Sequence, residues 1–359
     1  MFCGHGDFHM ADLPDDMQGA PAERSAPAAD IAGFWQRIVA LLIDMAVLAG
    51  VGVAIGAVAY REVVALGEEG RLIGAAVTLV YFGFFNSAWG GGATPGKRIM
   101  GLRVIQRDGS TVGLSRALLR TIIFWTPYFL NGVVFPSVHI AGSSTNSAID
   151  MALGLVLVLI VFGGSGSILY LYVFNRGTRQ SLHDLVAGTF VVRAASVRAP
   201  VRAHAWKGHL AVAALVCVLG AAIPATFLFY LTRTLPGSLL NNERAVQAAV
   251  LAYPGADTAQ VQTNSFYASS FNGPPVARTM LAVIVHMRSV PVSMETVQDD
   301  LAGIVLRTAP SNLDEQNLRI DVTYGYDLGI FRWTTGTSFA ATPAEWAAKL
   351  RARHTGDSA

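Results

Sequence analysis

The sequence predicts an α-helical multi-pass membrane protein of about five transmembrane helices, followed by a C-terminal soluble α+β domain. Three observations lead there. Of 359 residues, 52% are apolar and only 14% charged, whereas soluble domains carry about a quarter charged residues. Five long apolar runs, separated by polar or basic links, fall between residues 34 and 231. From residue 237 onward the sequence turns to helix-like and strand-like segments of ordinary polarity.

Residues 1–30 mix Asp, Pro, Ala and Gly without apolar periodicity and without a signal-peptide core, so they read as a disordered tail. Cys3, His5, Asp7 and His9 alternate potential metal ligands, but a flexible tail holds no coordination geometry, and no metal or other cofactor is expected. Cys3 in the tail and Cys217 in an apolar run make no disulfide framework.

The first apolar run, Phe34 to Tyr60, is long enough to cross a bilayer yet carries Arg37 and Asp44. Seven residues apart on a helix, they share one face about 10 Å apart along the axis. A charge at mid-bilayer costs about 3 kcal/mol on insertion scales, so Asp44 needs a partner, a wet cavity or a proton. Asp44's Cα–Cβ bond leans toward the helix N-terminus, where Arg37 lies, which makes Arg37 the expected partner. Gly52 and Gly56 form a GxxxG that admits close approach of another helix, within the chain or in a homo-dimer.

A second span is expected at about Leu72 to Trp89. The link after it, Gly90 to Arg120, holds Lys97, Arg98, Arg103, Arg107, Arg116 and Arg120 against Asp108 alone, which places it on the cytoplasmic side. Within it, segments flanking Asp108-Gly109 read as a short hairpin, with Ser115 placed to cap the following helix. Gly91 to Lys97 has the spacing of a phosphate-binding loop. Arg98 stands where that loop needs a Ser or Thr, and the motif follows a span where a strand is required, so the spacing reads as a glycine-rich turn with Lys97 near lipid headgroups.

Third and fourth runs, Ala117 to Val138 and Met151 to Phe174, are interrupted by Pro127 with Pro136 and by Gly-Gly-Ser-Gly-Ser, so neither reads as a clean helix. Basic residues on both flanks of the pair favour two full crossings. A basic linker and a fifth run with Pro224 occupy residues 196–236, which places residues 237–359 outside the plasma (inner) membrane and the amino terminus in the cytoplasm. The outer domain reads as α+β, with helices on one side of an antiparallel sheet. Asn272 to Pro275 marks a turn. Neither HExxH nor GxSxG occurs in it. Tyr324, Tyr326, Phe331 and Trp333 read as core and sheet-face residues, and dispersed charges give no sign of nucleic-acid binding.

Arg37 with Asp44, then Thr94-Pro95-Gly96-Lys97 followed by Gly101-Leu102-x-Val104, then Arg116-Ala117-x-x-Arg120, and finally Leu182-His183-Asp184 with Ala187-Gly188-Thr189, together resemble the RDD family of bacterial membrane proteins. The resemblance covers about residues 30–195 with four spans, and makes Arg37, Asp44 and Asp184 the family's arginine and two aspartates. It implies a possible link to sodium–proton exchange, with Asp44 binding a proton or a monovalent cation in competition, since desolvation raises a buried carboxylate's pKa. His183 beside Asp184 is placed to relay protons, and Asp184 is expected to tie to Arg98, Arg116 or Arg120. The competing expectation is a non-transporting envelope scaffold that displays the outer domain to a partner. An enzyme is not expected.

Overall fold

A computed structural model describes residues 29–140, 148–196, 200, 201, 203, 206–234, 237–268, 276–309 and 317–356. The expected tail, its metal-ligand pattern and the Asn272 to Pro275 turn lie outside these residues.

Helix α1 spans Phe34–Val58, a short α2 Tyr60–Leu66, α3 Gly70–Asn86 and α5 Leu114–Ile140. Pro127 and Pro136 do not break α5, which runs 27 residues. Residues 148–174 also form one continuous rod: α6 (Ala148–Val158), a π turn (Leu159–Gly164) and α7 (Ser165–Phe174). The expected Gly-Gly-Ser-Gly-Ser break is instead a packing face, where Gly163 lies against the Cys217 carbonyl of α9 (Gly208–Thr234). Contacts fix the directions. Gly83 of α3 meets Leu118 of α5, Arg71 reaches the Tyr128 carbonyl, and Tyr170 of α7 bonds His209 of α9, so α1, α5 and α9 run one way and α3 and α6–α7 the other.

Three described helices, Phe34–Val58, Ala152–Phe174 and Gly208–Phe227, are long and apolar enough to cross a membrane. The chain is therefore a helical membrane protein with a sheet-rich C-terminal region.

At the end where α1 begins, short elements fold over the helices: α4 (Pro95–Ile99), β1 (Leu102–Gln106), α8 (Leu182–Ala187) and β2 (Thr189–Arg193). The Asp108-Gly109 turn forms, with Gln106 N–H bonding the Ser110 carbonyl, and the expected short hairpin is closed by one antiparallel bridge only. β1 pairs antiparallel with β2, Val104 opposite Val191, while residue 111 makes a single bridge to Ile105. Apolar Ile105, Phe190 and Val192 bury against each other, which fixes that register by alternation. Helix α5 starts at Leu114, so Ser115 lies inside its first turn.

The C-terminal domain follows α9 through α10 (Gly237–Leu251). Its sheet has the order β3 (Ala256–Ala268), β4 (Val276–Met287), β5 (Asn317–Asp327), β6 (Arg332–Ala341). The expected all-antiparallel sheet is mixed, because α11 (Met294–Thr308) carries the chain back and leaves β4 and β5 parallel. Helices α10, α11 and α12 (Pro343–Gly356) join one core with Val250, Leu301, Val283, Ile320 and Trp346.

This domain is seated on the other end of the helices. The β5–β6 turn, Asp327 to Phe331, enters between α1, α3 and α5. Cβ atoms built on Gly52 and Gly56 would lie 2.5 Å from Phe331 Cβ and 1.9 Å from Tyr326 Oη, and one on Gly74 1.6 Å from the Leu328 carbonyl oxygen. Arg71 bonds Asp327 at 3.2 Å, and Tyr128 donates to the Gly329 carbonyl. The Gly52–Gly56 face thus receives the chain's own β-turn, where a helix was expected. Tyr326, Trp333 and Tyr60 form an aromatic contact across the seam, so with Phe331 at Gly52 three of the four expected core and sheet-face residues are docking residues.

Candidate functional site

Two anionic centres lie at the opposite, basic end of the helices. Gly188, at φ 66°, stops α8 with a left-handed residue, and Asp184 sits fully buried one turn earlier. Arg37 Nη2 lies 2.7 Å from its Oδ2, Arg120 Nε 2.9 Å from its Oδ1, and Thr189 Oγ1 donates to Oδ1 at 3.1 Å. Arg37 also donates to the Arg179 carbonyl and lies 4.6 Å from the Tyr172 ring centre. One carboxylate thereby joins α1, α5, α8 and β2.

Asp44 is a second centre, two turns farther along α1. Its Oδ1 accepts from Tyr81 Oη at 2.9 Å and Gly96 N–H at 2.8 Å, and its Oδ2 from Thr94 Oγ1 at 2.6 Å. Thr94 is also the N-cap of α4, accepting from Lys97 N–H. Pro95 opens the helix, and Gly96 permits the contact, since a Cβ there would lie 2.1 Å from the Ala40 carbonyl oxygen. The expected Arg37–Asp44 pair is not formed. Arg37's own Cα–Cβ bond leans toward the N-terminus, away from Asp44 and toward α8.

Lys97 turns inward, correcting its expected place among headgroups: its Nζ donates to Asn86 Oδ1 at 2.9 Å and lies over the Phe82 ring. Burial pushes its ammonium down to about 7, with Arg120 acting the same way and Asp44 and Asp184 opposing. Burial also lowers His183 to about 3, against the pull of Asp184 3.4 Å away, so its ring is neutral near pH 7. Burial alone would raise Asp184, but Arg120, His183, Arg37 and the Thr189 bond hold it well below the usual carboxylate range. Of the three cations expected near Asp184, Arg120 binds it. Arg116 pairs with Gln106 on the surface, and Arg98 braces the glycine turn through the Gly90 and Ala93 carbonyls.

Between the centres lies a chamber of about 60 Å³, room for a few water molecules. It is lined by Arg37, Asp44, Lys97, Arg120 and His183 among others. An apolar groove of about 550 Å³ between α1, α5 and α7 adjoins it, and Leu41, Phe124, Trp125 and Tyr172 line both. The reading from sequence missed Tyr81, Asn86 and Tyr172, and placed Thr189 in a motif without giving it a role. Asn86 was the detectable one, a polar side chain at the end of an apolar run.

Because Thr94 both caps α4 and donates to Asp44, Thr94→Val will destabilise the protein by about 1.5 kcal/mol. Thr94→Ser will keep wild-type stability. Denaturant titration in mixed micelles measures both, and equal losses would show that the hydroxyl is not what matters.

Apolar helices bound together by buried arginine–aspartate contacts define a polytopic helical membrane protein. Residues 31–188 match the model of the RDD family. The chain is similar to the uncharacterized protein YckC of Bacillus subtilis (strain 168), 29% identical over 163 residues, which cover 45% of this chain and 85% of YckC. No solved structure matches.

Proposed function

We propose that this protein is a non-transporting, non-catalytic membrane platform, whose RDD-type helices cross the inner membrane with a fifth span and hold the C-terminal domain in one orientation on the extracytoplasmic side. The carrying observation is the seating of the β5–β6 turn against Gly52, Gly56 and Gly74, where no added Cβ fits. A flexible tether would need none of these contacts. A second anchor supports the reading: Arg288, bound to Asp257 at 2.6 Å, reaches Glu69 at 3.7 Å beside α3. The orientation rests on charge, since Lys97, Arg98, Arg103, Arg107, Arg116, Arg176 and Arg179 gather at the end opposite the domain.

The exchanger reading asks Asp44 to trade a proton for a cation. Both its oxygens already receive hydrogen bonds, three in all, and the chamber beside it carries three basic side chains. Such surroundings attract anions.

The test is reconstitution in liposomes with internal pH followed after a sodium or potassium pulse. No cation-driven proton flux is expected. A flux abolished by Asp44→Asn would overturn the platform reading.

A further inference from the structure

The platform reading leaves the chamber and its groove unused. Arg37, Lys97 and Arg120 face two carboxylates, and both carboxylates are occupied, Asp184 by the arginines and Asp44 by three neutral donors. Among the described residues no carboxylate lies within salt-bridge distance of Lys97, whose Nζ bonds Asn86. Three buried side-chain atoms of the chamber-lining residues make no hydrogen bond among the described residues: Nε of Arg120, which meets Asp184 Oδ1 only as an ion pair, Nη1 of the same Arg120, itself 7% exposed, and Nδ1 of His183, 4% exposed. A buried, unpaired guanidinium N–H is costly, and it calls for an anionic acceptor. With Nε2 of His183 turned to Asp184, Nδ1 of the neutral ring is an acceptor and calls for a donor such as a hydroxyl.

The groove supplies the other half of a ligand. Its volume of about 550 Å³ falls in the roughly 300–1,000 Å³ range of small-molecule sites. Its walls are almost wholly apolar, and Tyr128 and Leu169 at its edge are 48% and 64% exposed on helices whose outward residues are apolar. The mouth therefore opens sideways, toward lipid tails.

We propose that chamber and groove hold one anionic phospholipid with a hydroxyl-bearing headgroup, drawn laterally from the bilayer. Its phosphate lies against Arg120 Nη1 and Lys97 Nζ, a headgroup hydroxyl donates to His183 Nδ1, and one acyl chain runs along the groove past Trp125 and Ile168. The phosphodiester offsets the positive excess and supplies charge-assisted bonds in a site that excludes water. This site is independent of the platform reading, since it uses neither the β5–β6 turn nor the outer domain.

The full-length protein, purified in mild detergent, is offered equal amounts of phosphatidylglycerol and phosphatidylcholine and examined by native mass spectrometry. One phosphatidylglycerol per chain should be retained in preference to phosphatidylcholine. Lys97→Gln should lower its occupancy about tenfold, the worth of one charge-assisted hydrogen bond, while Lys97→Arg keeps it. Ile168→Trp fills the groove without touching the charges and should expel the lipid as well. Equal retention of both lipids, no retained lipid, or wild-type retention by a monodisperse Lys97→Gln protein would overturn the proposal. So would displacement of the lipid by inorganic phosphate alone, which would assign the chamber to a free anion.

Discussion

Asp184→Asn is expected to destabilise the protein by about 3–5 kcal/mol, the cost of removing one partner from a buried ion pair. Asparagine keeps the shape and one acceptor oxygen but not the charge. Arg37 and Arg120, 8% and 7% exposed, would then share one buried site without an anion between them. The Thr189 hydrogen bond survives the change, so the loss reports charge and not packing. Denaturant titration in mixed micelles measures it. A second substitution sharpens the test: Asp184→Asn combined with Arg120→Gln should lose less than the sum of the single changes, because it removes one stranded cation along with the anion. The pH dependence follows from the depressed Asp184 pKa. A carboxylate held lower in the folded state contributes stability that is fully present above its unfolded value of about 3.9 and is lost as pH falls below it. Wild-type stability should therefore not respond to this group between pH 5 and 8. If Asp184→Asn unfolds within about 0.5 kcal/mol of wild type, the cluster does not hold the four elements together.

Which residues matter was more legible in the chain than what they touch. Arg37, Asp44 and Asp184 stand out because a charge in an apolar run has a large desolvation cost, and that cost depends only on local sequence. Their partners do not. Arg37 and Asp184 are 147 residues apart, and which anion meets Arg37 is decided by how α8 packs under α5. The same division explains the Asp108-Gly109 turn. Its local chemistry forms the turn, with Asp108 Oδ1 accepting from Ser110, but the partner of β1 is a strand some eighty residues later.

Gly52 and Gly56 announced a close approach, and small residues do so whether the approaching surface is a helix or a β-turn. β3 and β6 escaped notice because they are the edge strands of their sheet. Gln260, Gln262 and Asn264 in β3 and the threonines of β6 leave no apolar run to detect. The parallel pairing of β4 with β5 was available in principle. A fifteen-residue helix between two strands is the connection that parallel neighbours require.

Gly74→Ala is expected to cost about 3 kcal/mol, the upper end of ordinary overpacking, and to lift the β5–β6 turn off the helices. The added methyl would stand 1.6 Å from the Leu328 carbonyl oxygen. Gly56 is a weaker probe. The atom its Cβ would meet is the hydroxyl of Tyr326, which a side-chain rotation can move aside, whereas the Leu328 carbonyl moves only with the turn that carries it. Hydrogen exchange reads the outcome. Leu328 N–H bonds the Phe331 carbonyl and Gly329 N–H bonds Asp327 Oδ1, and both should exchange faster in the variant while the centre of β5 keeps its protection. Gly50 provides the control, because a Cβ there meets nothing within 4 Å. Gly50→Ala should stabilise α1 by up to about 1 kcal/mol through helix propensity alone. If Gly74→Ala keeps the turn protected, the domain is held by the salt bridges of Arg71 and Arg288 and not by the glycine seat, and the platform reading loses the observation that carries it.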